Sequence, residues 1–226
     1  MIDLYSWPAP NGHKVHILAE ELGLEYQVYP IDITQGDQHT EQYRGINPNG
    51  KIPAIVDRDP TDQGEPITVF ETGAIMLYLS EKEGQFLPSD PRKRIEAIQW
   101  LFWQVGGLGP MMGQAQHFFR YATDKIPYAI DRYQKETRRL LGILNDRLSN
   151  RDYIADTYSI ADMACFPWVR IHKMTGVGLT EFPEVEAWYG RVRGRPAVGR
   201  AMDLLRDRWV DVTKSDDAKQ NLFKHG

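Results

Sequence analysis

Ile2-Asp3-Leu4-Tyr5-Ser6-Trp7-Pro8-Ala9-Pro10-Asn11-Gly12-His13-Lys14-Val15 opens on a period of two and changes, across a proline-rich turn, to a helical period continued by Leu18, Ala19 and Leu22. Strand, turn and helix follow from those two periods, with Gly23 as the helix stop. Residues 26–31 alternate again, so residues 2–31 read as a β-α-β unit, for which parallel pairing and a right-handed crossover are expected. A polar stretch then leads to the turn cluster Asn47-Pro48-Asn49-Gly50. Residues 52–56 read as a short strand entered through Pro53, and residues 67–70 as its hairpin partner. From Thr72 the residues Ile75, Met76, Tyr78 and Leu79 recur at helical spacing up to Gly84. This order, β-α-β-(irregular)-β-β-α, predicts a thioredoxin-like unit in which helices cover a mixed sheet.

Beyond a linker at 84–91 the strand signal ends. Helices are expected over 92–105, 127–148, 159–172, 183–193 and 196–206. Pro127, Pro183 and Pro196 suit first-turn positions, where a missing N–H costs little. Ser159 and Asp162 have the spacing of a capping box. Gly106-Gly107-Leu108-Gly109-Pro110 is expected to bend or break the chain. The expected fold class is therefore α+β followed by all-α: a thioredoxin-like domain at 1–83, an all-helical domain at 91–210, and a polar tail at 211–226, frayed from Lys214 onward.

Hydrophobic residues make up 42% of the 226 positions, enough to exclude a wholly disordered chain. The formal charge of -4 disfavours a nucleic-acid scaffold, and the arginines at 191, 193, 195, 200, 206 and 208 read as a solvated helix face. Cys165 is the single cysteine and reads as a small buried residue. Intrachain disulfides, four-cysteine zinc sites and Cys-x-x-Cys pairs are thereby excluded, so thiol chemistry must borrow its thiols. No metal site is expected. A signal-peptide pattern and a run of about 18 apolar residues are both missing, which makes a reducing, cytoplasmic setting without membrane association the default expectation.

Three strand-to-helix turns carry the polar groups of interest. Asn11 lies where backbone N–H groups and a positive helix end meet an anion or a thiolate, and its amide can donate to sulfur. The alternative is that Asn11 only caps the helix. A cis Ile52–Pro53 bond would turn the Ile52 backbone outward to pair with an extended peptide, although only about 5–6% of X–Pro bonds are cis. Glu71 and Thr72, at the third turn, can hold an amine and a carboxylate, or can simply cap a helix. Together the three describe a site for a γ-glutamyl, cysteinyl peptide.

The runs Asn11-Gly12-His13-Lys14, Asn47-Pro48-Asn49-Gly50-Lys51-Ile52-Pro53-Ala54-Ile55-Val56-Asp57 and Phe70-Glu71-Thr72-Gly73-Ala74-Ile75 resemble cytosolic glutathione transferases, the bacterial nu class in particular. In the helical part the stretches at 99–111 and 126–133 are similar to the same class. The resemblance covers residues 1 to about 210 and implies the following. Ile52 pairs its backbone with the cysteinyl unit of glutathione across a cis Pro53, and Glu71 and Thr72 hold the γ-glutamyl head. Gln38 and Lys51 contact the glycyl end or a neighbouring glutathione, and Arg132 reaches over the site to a carboxylate. A homodimer is implied. The implied activity is reduction of small disulfides with two bound glutathione molecules or oxidised glutathione, beside weak transferase or peroxidase activity.

Where the class carries a threonine two positions before the asparagine, this chain has Ala9, which leaves Asn11 as the main side-chain donor to sulfur. Tyr5 and Ser6 correspond to the tyrosine and serine of other transferase classes, and strand packing is the alternative role for both. Trp103, Met111, Met112, His117, Phe118 and Phe119 are candidates for a second-substrate pocket, with core packing as the alternative. Conjugation of electrophiles and non-catalytic glutathione binding stay open beside disulfide reduction.

Overall fold

A computed structural model of the chain describes residues 1–223. The first strand, β1 (Ile2–Ser6), runs through a turn into helix α1 (Pro10–Leu22), which ends at Gly23 in the left-handed region with φ 63°. After β2 (Tyr26–Pro30) come a loop, the short helix α2 (Glu41–Ile46), strands β3 (Ala54–Asp57) and β4 (Ile67–Phe70), and helix α3 (Thr72–Glu83). The sheet order is β2-β1-β3-β4, with β1 parallel to β2 and antiparallel to β3, and β3 antiparallel to β4. Both pairings follow from the connections: a helical crossover permits a parallel neighbour, and a short loop imposes an antiparallel one. Leu4, Ile55, Leu18, Ile75, Met76 and Leu79 are sealed from solvent. Each contributes about 1.5–3 kcal/mol by leaving water.

The register fixes where the site lies. Tyr5 stands opposite both Tyr29 and Ala54, and Ala54 stands opposite Phe70. The ends of β1, β2 and β4 and the start of β3 therefore share one edge of the sheet. The segments carrying Asn11, Gln38, Ile52 and Glu71 all leave from that edge.

The chain forms two compact units, one of Met1–Glu83 with the chain from Ala197 onward, the other Gly84–Pro196. The second is helical: α4 (Pro91–Trp103), α5 (Gly109–Gln116), α6 (Pro127–Leu148), α7 (Ile160–Arg170) and α8 (Pro183–Arg193). Leu101, Leu108, Leu141, Leu144, Cys165 and Trp188 lie in its interior. The capping box at Ser159 is formed, and the Asp162 carboxylate also accepts from Ile154 N at 3.0 Å and Trp188 Nε1 at 2.8 Å. Burial pushes the Asp162 carboxyl up to about 6, against the pull of these hydrogen bonds.

Two expectations give way to the structure. The glycine-rich stretch after Trp103 does not break the helix: Gln104–Leu108 is a π-helical turn leading straight into α5, and His117–Tyr121 is another. The wider turn absorbs the stretch without ending the helix. Gly109 is needed there, because a Cβ would stand 2.7 Å from Gln104 Nε2 and 3.1 Å from Trp168 Nε1.

The tail is not frayed over its described residues. Helix α9 (Pro196–Asp203) is followed by two short 3-10 turns and helix α10 (Asp216–Phe223), and Ala218 is buried. Residues from Ala197 group with the sheet rather than with the helical unit that the sequence reading extended to 210. The contact is specific, since Arg200 Nε donates to Glu20 Oε2 at 2.6 Å and the Ala201 backbone lies beside the His16 ring. Lys224, His225 and Gly226, which end the proposed tail, lie outside the described residues.

Candidate functional site

Helix α1 begins without a side-chain cap. Its N-cap is Ala9, Pro10 follows, and His13 N donates to Ala9 O at 2.9 Å as the first rung of the helix. The N–H groups of Asn11 and Gly12 precede that rung and stand at the positive end of the helix, a place suited to an anion or thiolate. Asn11 is not the cap, so the capping alternative for it does not hold; its side chain is half-buried in the first turn. Gly12 permits the tight turn, since a Cβ would sit 2.1 Å from Trp7 O and 2.7 Å from Ser6 Oγ.

Tyr5 and Ser6 are occupied otherwise. Ser6 Oγ lies 2.8 Å from His16 Nε2, with both residues fully buried, and burial pushes the His16 imidazole down to about 4. The Tyr5 ring stacks on Tyr29 at 4.9 Å, and burial, with Asp3 adding to it, raises its phenol. Both residues pack within the sheet unit.

The Ile52–Pro53 peptide is cis. It follows a loop whose backbone is pinned: Tyr43 Oη donates to Lys51 O at 2.7 Å and Asn47 Nδ2 to the same oxygen at 2.6 Å. Lys51 itself is exposed and Ile52 half-buried. Just past the neighbouring strand β4, Glu71 is exposed with φ 70°, a left-handed conformation that costs a non-glycine residue of order 1–3 kcal/mol. This strain at a turn bearing a carboxylate could not be read from the sequence. Thr72 begins α3, is buried, and accepts a hydrogen bond from Lys14 Nζ at 3.3 Å. Lys14, 2% exposed, was missed by sequence reasoning because a lysine on a helix reads as solvated.

Gln38 is 4% exposed in the loop after β2. Its Nε2 lies 3.4 Å from Asn221 O and 3.1 Å from His39 Nε2, while its Oε1 is buried without a hydrogen-bond partner.

The helical unit holds a cavity of about 520 Å³, lined among others by Met111, Tyr128, Arg132, Tyr133 and Arg139. Arg132 is exposed on α6 and forms part of that wall. Of the six aromatic, histidine and methionine candidates only Met111 lines it. Met112 is sealed in the core, which corrects its assignment to a pocket. Trp103 packs edge-on against Trp100 at 5.1 Å and Phe118 stacks on Tyr133 at 5.4 Å. His117 stands edge-on to Phe118, its imidazole lowered by burial and by Lys125, and Phe119 is exposed. Apolar side chains at helical spacing do not distinguish a pocket wall from packing. Among the described residues no group of three or more His, Cys, Asp or Glu side chains could hold a metal ion.

Comparison with known proteins bears on these turns. Residues 9–82 match the glutathione S-transferase N-terminal domain and residues 110–196 the C-terminal domain. The chain is 51% identical over 203 residues to the disulfide-bond oxidoreductase YfcG of Escherichia coli, covering 89% of this chain and 94% of that one. To YghU of the same organism, also a disulfide-bond oxidoreductase, it is 43% identical over 91% of this chain and 75% of that one. A Burkholderia graminis glutathione transferase with two glutathione molecules bound per subunit superposes with a TM-score of 0.85 at 43% identity, over 89% of this chain and 87% of that one. A Pseudomonas putida glutathione transferase with one glutathione disulfide bound gives 0.85 at 40% identity, over 90% and 91%. Through both domains, this chain belongs to the glutathione S-transferase family.

Proposed function

We propose that the protein is a nu-class, glutathione-dependent reductase of small disulfides, with weak transferase or peroxidase activity beside it. The observation that carries this is the placement of sulfur. Cys165 is the chain's single thiol and is sealed inside α7, so the helix end at Asn11 can act only on a thiol that a ligand brings. One glutathione thiolate, held by Asn11 and the first N–H groups of α1, attacks a sulfur of the substrate disulfide and expels the other as thiolate. The mixed disulfide is then attacked at the glutathione sulfur by a second glutathione thiolate. The remaining half of the substrate leaves reduced, and oxidised glutathione departs.

In this reading Ile52 pairs its backbone with the cysteinyl unit beside Pro53, Glu71 and Thr72 hold the γ-glutamyl head, and Gln38 and Lys51 meet the glycyl end or the neighbouring glutathione. Residues 1–83 are the glutathione-binding domain and Arg132 supplies a cation to a carboxylate. The working form is a cytoplasmic homodimer. Support for a partner surface comes from Phe70, 37% exposed on β4, and from Phe102, 60% exposed on α4. No metal takes part.

A second reading, non-catalytic glutathione binding, is favoured by one observation: Ala9 leaves the helix end without a hydroxyl. Steady-state reduction of 2-hydroxyethyl disulfide, coupled to glutathione reductase, separates the two when run beside a conjugation assay with a halogenated nitroarene. Turnover well above uncatalysed exchange, lost in Asn11→Ala, is expected. Brisk conjugation without disulfide turnover would make the protein an ordinary transferase, and neither activity would leave the binding reading.

A further inference from the structure

Helix α6 presents one row of side chains to a cavity. Tyr128, Arg132, Lys135 and Arg139, spaced four, three and four residues apart and so stacked on one face of the helix, line the space of about 520 Å³ together with Met111 of α5 and Tyr133. That volume falls in the range of about 300–1,000 Å³ usual for small-molecule sites. Tyr128, 73% exposed, and Arg132 stand open to solvent, so a ligand reaches them without any part of the chain moving. The Tyr133 ring is held in place, stacked on Phe118 at 5.4 Å with 5° between the planes.

The charges on this wall are not equivalent. Lys135 Nζ donates to Asp131 Oδ2 at 2.7 Å, and Arg139 grips both oxygens of Glu136, Nε to Oε2 at 2.8 Å and Nη2 to Oε1 at 2.7 Å. Hydrogen bonding from Arg139, with the Arg132 charge adding to it against the push of burial, holds the Glu136 carboxyl below its ordinary range. Both carboxylates of the wall are thereby committed, and among the described residues no hydrogen bond or direct ion pair engages Arg132. A guanidinium takes a carboxylate in a planar, two-point contact, while tyrosine rings and a thioether pack against an aromatic body. Glutathione has the first of these groups and not the second. We propose that the cavity binds an aromatic carboxylate, Arg132 taking the acid group and Tyr128 and Tyr133 the ring. The pairing of Arg132 with a carboxylate rests on the reading given above; the ring walls name the class of molecule that carries it. Such a group arrives as a free aromatic acid or as the arm of an aromatic disulfide substrate.

Calorimetric titration of the full-length protein with 2-naphthoate, glutathione absent, tests the cavity by itself. Saturable binding is expected, at least about tenfold tighter than that of 2-naphthamide, which keeps the rings and lacks the charge. Arg132→Met should remove that preference. Arg138→Met deletes the same charge from a residue of α6 that pairs with Glu181 at 3.6 Å instead, and should leave Kd within about twofold. No saturable binding, equal affinity for acid and amide, or an equal loss in Arg132→Met and Arg138→Met would overturn the proposal. A second arm finds the source of the acid: glutathione-dependent reduction of 4,4′-dithiodibenzoate against its diamide, corrected for uncatalysed exchange. A kcat/KM at least about tenfold higher for the diacid, lost in Arg132→Met, makes the disulfide the source. Equal values, with naphthoate binding intact, make it a free acid. Absence of turnover with either disulfide would sink the reductase reading and leave the titration to decide the cavity.

Discussion

Lys14 Nζ and Thr72 Oγ1 lie 3.3 Å apart, joining the first turns of two helices across 58 residues of sequence, and both residues are buried. Because the ammonium can only donate, the Thr72 oxygen is the acceptor and its own hydrogen is turned elsewhere. In the glutathione site proposed above, that sense leaves the hydroxyl hydrogen to the carboxylate of the γ-glutamyl group. Lys14→Met is therefore expected to raise KM for glutathione about three- to tenfold with a smaller change in kcat, read from glutathione titrations at saturating disulfide.

Ala9 gives the second prediction. As N-cap of α1 it offers no side-chain acceptor, whereas a threonine there can accept from a first-turn N–H and also present a hydroxyl beside Asn11. Ala9→Thr should stabilise the protein by about 0.5–2 kcal/mol in urea unfolding. If the hydroxyl also donates to bound sulfur, the thiol pKa of bound glutathione should fall by up to about one unit, seen as an acid shift of the kcat/KM profile.

Stability against pH carries a third prediction with opposite signs in the two units. His16 is depressed to about 4, so between pH 6.5 and 4 the unfolded chain binds a proton that the folded chain does not; its contribution is present above pH 6.5 and lost as pH falls. Asp162 is raised to about 6, so between pH 6 and 3.8 the folded chain holds the extra proton, and stability from this group grows as pH falls. Urea unfolding across that range should show His16→Gln gaining on the wild type as pH falls and Asp162→Asn losing ground to it. Parallel curves for all three proteins would remove both groups from the linkage.

Much of the sheet unit was legible because its signals are local. The change of period between Leu4 and Val15, and the turn at Asn47-Pro48-Asn49-Gly50, mark the elements without help from packing. The capping box at Ser159 and Asp162 was legible for the same reason. What was hidden depends on tertiary context. Gly109 and Pro110 read as breakers, yet they continue a helix whose packing overrides their propensity. Helix α10 has few apolar residues, and its contact with the 32–38 loop comes through a long-range asparagine that leaves no periodic trace. Met111 and Met112 are adjacent and chemically alike, but one lines a cavity and the other is core. Only the phase of the helix separates them, and the phase is set by the π turn before it.

That turn has a consequence for how such a chain can diversify. Gln104–Leu108 and His117–Tyr121 each hold the backbone in a π turn, a wider winding than the 3.6 residues of the α-helix. Deleting one residue at Gly106-Gly107 lets the winding tighten locally, so the flanking helices keep their seats while the residues between them turn by about 100° per position. Different faces of the turn are then presented although no amino acid has been exchanged. Change in this part of the chain becomes a matter of chain length at two addresses as well as of side-chain identity, a route that substitution scanning does not sample.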